Sequence, residues 1–184
     1  MERILTAVLL CIGVAVYAQV PGLGPCFDAK PQSTLNVSQY LGHWYEITKL
    51  PSFFEIEQVC LTANYSVKED GHIKVFNQGK VNGKNVSSTG DAYVPDPSEP
   101  SKLIVKFPQA APYGPYWVLD TDYTSYSLVF SCEQLGSFAH AKFLWILSRT
   151  PSIDPAVKDR LFKRLEKDGI GASGLRATKR SDCS

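Results

Sequence analysis

Side chains able to make or break covalent bonds are few in this 184-residue sequence, and they stand far apart. The three histidines, His43, His72 and His140, fall near the ends of strand-like runs, where a packed or solvated role is the ordinary one. No Gly-x-Ser-x-Gly elbow, His-Glu-x-x-His pair or zinc-like spacing of thiols is present. Met1 is the only methionine, so the chain after its start has no thioether to oxidise. This pattern argues against an enzyme and gives no basis for a metal or cofactor. What remains is non-covalent chemistry: aromatic and aliphatic surface carrying a few hydroxyls, suited to enclosing an apolar molecule.

The first element that bears on where such surface is used is N-terminal. Met1-Glu2-Arg3 precedes an apolar run from Ile4 to Val16, too short to span a bilayer, and Val16-Tyr17-Ala18 offers small residues where a signal peptidase cuts. Residues 1–18 therefore read as a secretory signal peptide, and residues 19–184 as one secreted, extracellular domain with no transmembrane segment. Cleavage removes Cys11 and leaves Cys26, Cys60, Cys132 and Cys183, an even set expected to form two disulfides in an oxidising compartment. Spacing alone leaves all three pairings open. A net charge of +1 with interspersed signs gives no basic stripe and so no expectation of nucleic-acid binding.

The elements that would hold the aromatic surface are strands. Asp70-Gly71 and Asn82-Gly83 stand between short apolar runs and suit tight hairpin turns. Counting from the strand at Trp44 to the run Ala141–Leu147 gives eight strands in succession, which predicts an all-β, antiparallel up-and-down barrel. Beyond Arg149 the period changes. Asp154 and Pro155 open a helix, Val157, Leu161 and Leu165 share one face, and Gly169 ends it. Lys158, Arg160, Lys163, Arg164 and Lys167 form its other face, expected to be solvated. Strand parity places Phe143, Trp145 and Leu147 inside with Arg149, and Leu144 and Ile146 outside beneath the helix. Asn64 opens an N-glycosylation sequon and must face water, which turns Tyr65 inward; Asn36 and Asn85 open further sequons. By the same alternation Leu103, Val105 and Phe107 form one face of their strand.

Gly42-His43-Trp44, Thr121-Asp122-Tyr123 and Arg149, in this order and at these separations, resemble the three signature segments of the lipocalins. In that family the arginine lies over the tryptophan ring at the closed end of the barrel and the helix lies against its outside, so the resemblance makes Gly42, Trp44, Thr121, Asp122, Tyr123 and Arg149 fold residues. A longer match runs from Tyr40-Leu41-Gly42-His43-Trp44-Tyr45-Glu46-Ile47 through Ala63-Asn64-Tyr65-Ser66, Ile73-Lys74-Val75, Asn77-Gln78 and Pro115-Tyr116-Trp117 to Phe143–Leu147, and includes the four cysteines. It is similar to the apolipoprotein D-like lipocalins. That resemblance implies the pairings Cys26–Cys132 and Cys60–Cys183, and a pocket of Tyr65, Asn77, Phe107, Tyr116, Phe143 and Trp145. It also implies a monomeric carrier of a small hydrophobic ligand such as arachidonic acid or progesterone, with lipoprotein or receptor contact as a further partnership. Pro108-Gln109-Ala110-Ala111 is less bulky and less apolar than the matching loop, and Gln134 replaces an additional cysteine, so covalent pairing to an apolipoprotein is not expected. The same fold offers two alternatives, a bilin or retinoid carrier and an enzyme acting on a prostanoid. With every cysteine after cleavage expected to be bridged, the free pocket thiol of the prostaglandin-isomerising lipocalin has no counterpart.

Overall fold

The computed structural model describes residues 21–108, 113–181 and 183. The expected signal peptide and the loop residues Gln109, Ala110 and Ala111 lie outside the described residues. The described chain runs through β1 (Pro21–Leu23), the one-turn α1 (Val37–Tyr40), β2 (Gly42–Lys49), β3 (Val59–Val67), β4 (Ile73–Val81), β5 (Lys84–Tyr93), β6 (Lys102–Lys106), β7 (Gly114–Thr121), β8 (Tyr126–Leu135), β9 (Ala139–Ser148), α2 (Pro155–Lys167) and β10 (Arg176–Ala177). A single 3-10 turn, Phe53–Glu55, lies between β2 and β3.

Strands β2 to β9 pair antiparallel in sequence order, and β9 pairs back onto β2, so the sheet closes as the eight-stranded barrel that the hairpin signals predict. Asn82 and Gly83 both take positive φ, 50° and 75°, as a two-residue hairpin between twisted strands requires. The strand-like runs on either side are longer than the sequence suggests, each continuous across Asn77–Val81 and Lys84–Ser88. The two short strands β1 and β10 are additions to the sequence reading. They pair with β9 and β2 respectively and tie both ends of the chain to the wall.

Alternation divides the apolar residues into two cores. Inside the barrel lie Tyr40, Trp44, Ala63, Tyr65, Val75, Leu103, Val118, Val129 and Leu147. Outside it, Leu128, Phe130, Leu144 and Ile146 pack beneath Leu161 and Leu165 of α2. Leu144, Ile146, Leu161 and Leu165 are all fully buried, each worth roughly 1.5–3 kcal/mol. The helix starts where expected: the Asp154 carboxylate accepts from Ala156 N–H at 2.7 Å and Pro155 occupies the first turn. It stops at Gly169, whose φ of +71° lets Ile170 N–H reach back to Leu165 C=O at 3.1 Å. The basic face is less free than its sequence suggests. Arg160 pairs with Asp120 at 3.0 Å, and Arg164 with Asp168 at 2.8 Å and the Lys30 carbonyl at 2.9 Å, so two of its cations clamp the helix to the barrel and the N-terminal segment.

Candidate functional site

One end of the barrel is shut. Trp44 is completely buried, its indole N–H donates to Tyr40 C=O at 2.9 Å, and the Arg149 guanidinium lies 3.7 Å above its ring. Arg149 also donates to the carbonyls of Tyr123, His43, Gln39, Tyr40 and Leu41, at 2.8, 2.8, 3.0, 3.3 and 2.9 Å. The Thr121-Asp122-Tyr123 segment builds that acceptor set: Asp122 Oδ1 takes the N–H groups of Thr124, Ser125 and Tyr126, Thr121 Oγ1 donates to Tyr126 C=O, and Tyr123 is held at φ 67° with its carbonyl toward Arg149. Gly42 is favoured by its backbone, since its φ of +92° is a conformation that L side chains rarely adopt.

Above this base lies a polar floor that the sequence reading found only in part. Tyr116 Oη lies 2.8 Å from Tyr65 Oη and 3.0 Å from Tyr40 Oη, and Tyr40 Oη lies 2.9 Å from Ser127 Oγ. Burial pushes the Tyr40 hydroxyl up to about 12, and raises Tyr65 and Tyr116 as well, so all three stay protonated and act as hydrogen-bond groups rather than acids or nucleophiles. The gap between Tyr40, Leu41, Tyr65, Ile73, Val75, Ala92, Leu103 and Tyr116 is about 10 Å³, room for about one water.

Toward the other end the inward residues change character. Phe143 and Trp145 stack at 5.8 Å with an interplanar angle of 5°, and Phe54 from the β2–β3 segment leans on Phe143 at 5.4 Å. Trp145, Asn77, Val105 and Phe107 face inward yet are only half-buried, whereas Trp44 at the base and the inward-facing Val118 and Val129 are at 0 % exposure. A barrel filled throughout by its own side chains would bury both sets. The inner wall toward this end, the cup, is therefore partly open to solvent at Trp145, Asn77, Val105 and Phe107, while Phe143 beneath Phe54 is buried.

The wall beside the cup contains a buried ionic cluster. Lys49 Nζ lies 3.2 Å from Glu46 and 2.9 Å from Glu55, and Thr178 donates to Glu46 at 2.5 Å. Burial, followed by the neighbouring Glu55 carboxylate, pushes the Glu46 carboxyl up from 4.5 to about 7, against the pull of Lys49 and the Thr178 hydroxyl. A carboxyl raised in the folded state contributes stability that is fully present below its unfolded value and is lost as pH rises through about 7. Glu46→Gln keeps an acceptor for Thr178 and has no charge to bury, so it should match the parent near pH 4 and exceed it by about 1–3 kcal/mol at pH 8. Urea unfolding at the two pH values checks this; a parent more stable than the variant at pH 8 contradicts it.

A second cluster lies outside the closed end, beside a surface cleft of about 370 Å³. Asp70, His72 and Asp91 bring ligand atoms within 4.8 Å of one another, but Lys68 Nζ already stands 2.6 Å from Asp91 and 2.9 Å from Asp70. That ammonium, with His72 and Tyr113, holds Asp91 down to about 2. The place a metal would take is filled by the chain's own cation.

A family model for the lipocalin-like domain matches residues 35–180. The chain is a lipocalin. Apolipoprotein D of Mus musculus is 39% identical over 162 residues, covering 88% of this chain and 85% of that protein. Apolipoprotein D of Cavia porcellus is 35% identical over 184 residues, covering 100% and 97%. Among solved structures, insecticyanin from the tobacco hornworm Manduca sexta superposes with a TM-score of 0.77 at 27% identity, covering 90% of this chain and 91% of that one.

Within this lipocalin, the disulfides implied by the resemblance are present, Cys26–Cys132 and Cys60–Cys183, with Cα separations of 5.9 and 5.5 Å. Of the six pocket residues expected, Tyr65 and Tyr116 join in the floor, Phe143 and Trp145 stack in the cup, and Asn77 stands on β4 and Phe107 just past the end of β6 along the same inner wall. Asn36, Asn64 and Asn85 are all exposed. The sequence reading missed Tyr40, Ser127, Phe54, Glu46 and Lys49. Parity with Trp44 would have turned Glu46 inward; nothing local marks Tyr40 as the third hydroxyl of the floor. Gln134 fills its place in an unexpected way: its carbonyl accepts from Cys26 N–H at 3.0 Å and its amide donates to Ala139 C=O at 2.8 Å, tying the N-terminal segment to the β8–β9 turn.

Proposed function

We propose that this lipocalin is a secreted carrier that holds one small hydrophobic molecule in the upper half of the barrel, its body against Phe143 and Trp145. The observation that carries the reading is the inward-facing Trp145 and Phe107, half-buried beside the buried Phe143, above a base closed by the fully buried Trp44. Apolipoprotein D relatives at 35 to 39% identity support a carrier of the same kind, with steroid-like or fatty-acid-like ligands as the implied class. Exposed sequon asparagines and two disulfides agree with an extracellular protein glycosylated at Asn64.

The test uses the three tryptophans, which report from different places: Trp44 at the base, Trp117 on the outer wall and Trp145 in the cup. Titration with a neutral steroid should quench emission saturably at one ligand per chain, and Trp145→Phe should remove most of the change. Quenching that survives in Trp145→Phe and vanishes in Trp44→Phe would place the ligand at the wrong end of the barrel.

A further inference from the structure

The ionisable groups that face the cup are unequal in sign. Among the described residues two cations hold inward-facing strand positions: Lys49, whose Cα partner on β9 is Trp145 and whose ammonium Glu46 and Glu55 already engage, and Lys84, whose Cα partner on β4 is Val81. Lys84 stands exposed at the tip of the β4–β5 hairpin, and below that rim no unengaged cation at an inward strand position is found among the described residues. A further carboxylate, Glu133, stands near the mouth. Its Cα partner on β9 is Ala141, two positions above the Ser131–Phe143 pair, so it shares the inner face with Phase-matched residues Ser131 and Phe143. On its other side it lies against Gly114 of β7: a Cβ there would fall 2.9 Å from Glu133 Oε1, so the absent side chain makes the space the carboxyl occupies. Glu133 is half-buried, no cation or hydrogen-bond donor among the described residues answers it, and burial alone raises its carboxyl.

We propose that Glu133, seated over Gly114 at the mouth, selects the polar end of the ligand, so that the cup takes an apolar body bearing an ammonium or hydroxyl donor and disfavours the carboxylate of a free fatty acid. The inference rests on the carrier reading above and narrows its ligand class. At about 3.3 Å per residue, Glu133 stands roughly 7 Å above Phe143 along the strand, which places a donor at one end of a molecule whose hydrocarbon lies on the Phe143–Trp145 stack. Bringing an anion beside an uncompensated carboxylate in a partly desolvated cup is unfavourable. A donor there meets the hydrogen-bonding capacity that the protein leaves open.

Dodecylamine, dodecanol and dodecanoate, matched in chain length and used below their micellar concentrations, separate the claims by calorimetric titration of the full protein at pH 7.4. The amine and the alcohol should bind at one per chain, the amine about tenfold more tightly than the carboxylate. Glu133→Gln should erase the amine-over-carboxylate preference while leaving dodecanol affinity within about twofold, and Glu133→Lys should invert the preference. Dodecanoate binding as tightly as the amine to the parent, or a preference unchanged in Glu133→Gln, overturns the role of Glu133 with the carrier reading intact. Failure of all three probes, and of a neutral steroid, to bind overturns the carrier reading itself.

Discussion

Arg149→Ala should lower the stability of the barrel by about 3–5 kcal/mol, more than any other single side-chain truncation outside the apolar cores. The magnitude follows from how many groups one guanidinium serves. It closes over the Trp44 ring at 3.7 Å and bonds five backbone carbonyls drawn from the β1–β2 segment, β2 and the β7–β8 turn. Hydrogen bonds to a charged donor contribute about 1.5–3 kcal/mol each in isolation, but these share one side chain and water replaces part of what is lost, so the sum is far from additive. Arg149→Lys should recover less than half, because a point ammonium cannot reach carbonyls on three segments together. Urea unfolding followed by near-ultraviolet circular dichroism, which reports the packed Trp44, gives the comparison. A loss below about 1 kcal/mol for the alanine variant would show that Trp44 closes the base unaided.

The second large effect is expected at the C-terminal bridge. Cys60–Cys183 closes a loop of 123 residues and Cys26–Cys132 one of 106, lengths for which removal typically costs about 2–4 kcal/mol. The two should differ in where the structure loosens. Ahead of Cys183, Thr178 N–H bonds Ile47 C=O at 2.9 Å, its hydroxyl bonds Glu46, and Lys179 C=O accepts from Cys60 N–H at 2.8 Å. Arg180 lies over the Tyr45 ring at 4.8 Å. Replacing both Cys60 and Cys183 with serine, so that no thiol is freed, should lower stability by about 2–4 kcal/mol and speed amide exchange at residues 176–179 well beyond the rest of the sheet. Unchanged exchange there, with unchanged stability, would mean that the short β10 pairing alone holds the segment.

Much of this architecture could be read from the chain because its signals are local. Asn82-Gly83 needs positive φ, Asp154-Pro155 caps a helix, and alternation from Phe143 to Leu147 assigns each residue a face; all three appear in the structure as anticipated. Arg149 over Trp44 was legible only through the family resemblance, because 105 positions separate the pair and neither residue alone demands the other. What escaped the sequence is non-local or too short to have a period. Strands β1 and β10 hold three and two residues and exist because β9 and β2 offer edges to them. Cys60 takes φ 57° where β3 bulges, a conformation its residue type does not announce. The hydroxyl floor needs Tyr40, which precedes the barrel, to meet Tyr116 across it. The Glu46–Lys49–Glu55 cluster was hidden for a different reason: charged residues in a strand suggest an outer face, and although parity with Trp44 turns Glu46 inward, the bulge between Glu46 and Thr48 breaks that parity for Lys49, whose pairing with Trp145 shows that it too points inward.

The claim on which the rest depends is that the upper barrel holds one apolar molecule. Native mass spectrometry of protein recovered from the medium of expressing cells addresses it directly, with the released molecule identified after solvent extraction. The account predicts a population carrying one small apolar molecule per chain, lost on extraction and restored one-to-one by the extract. Protein that leaves the cell empty, and stays empty when offered excess neutral steroid and long-chain alcohol, would contradict it.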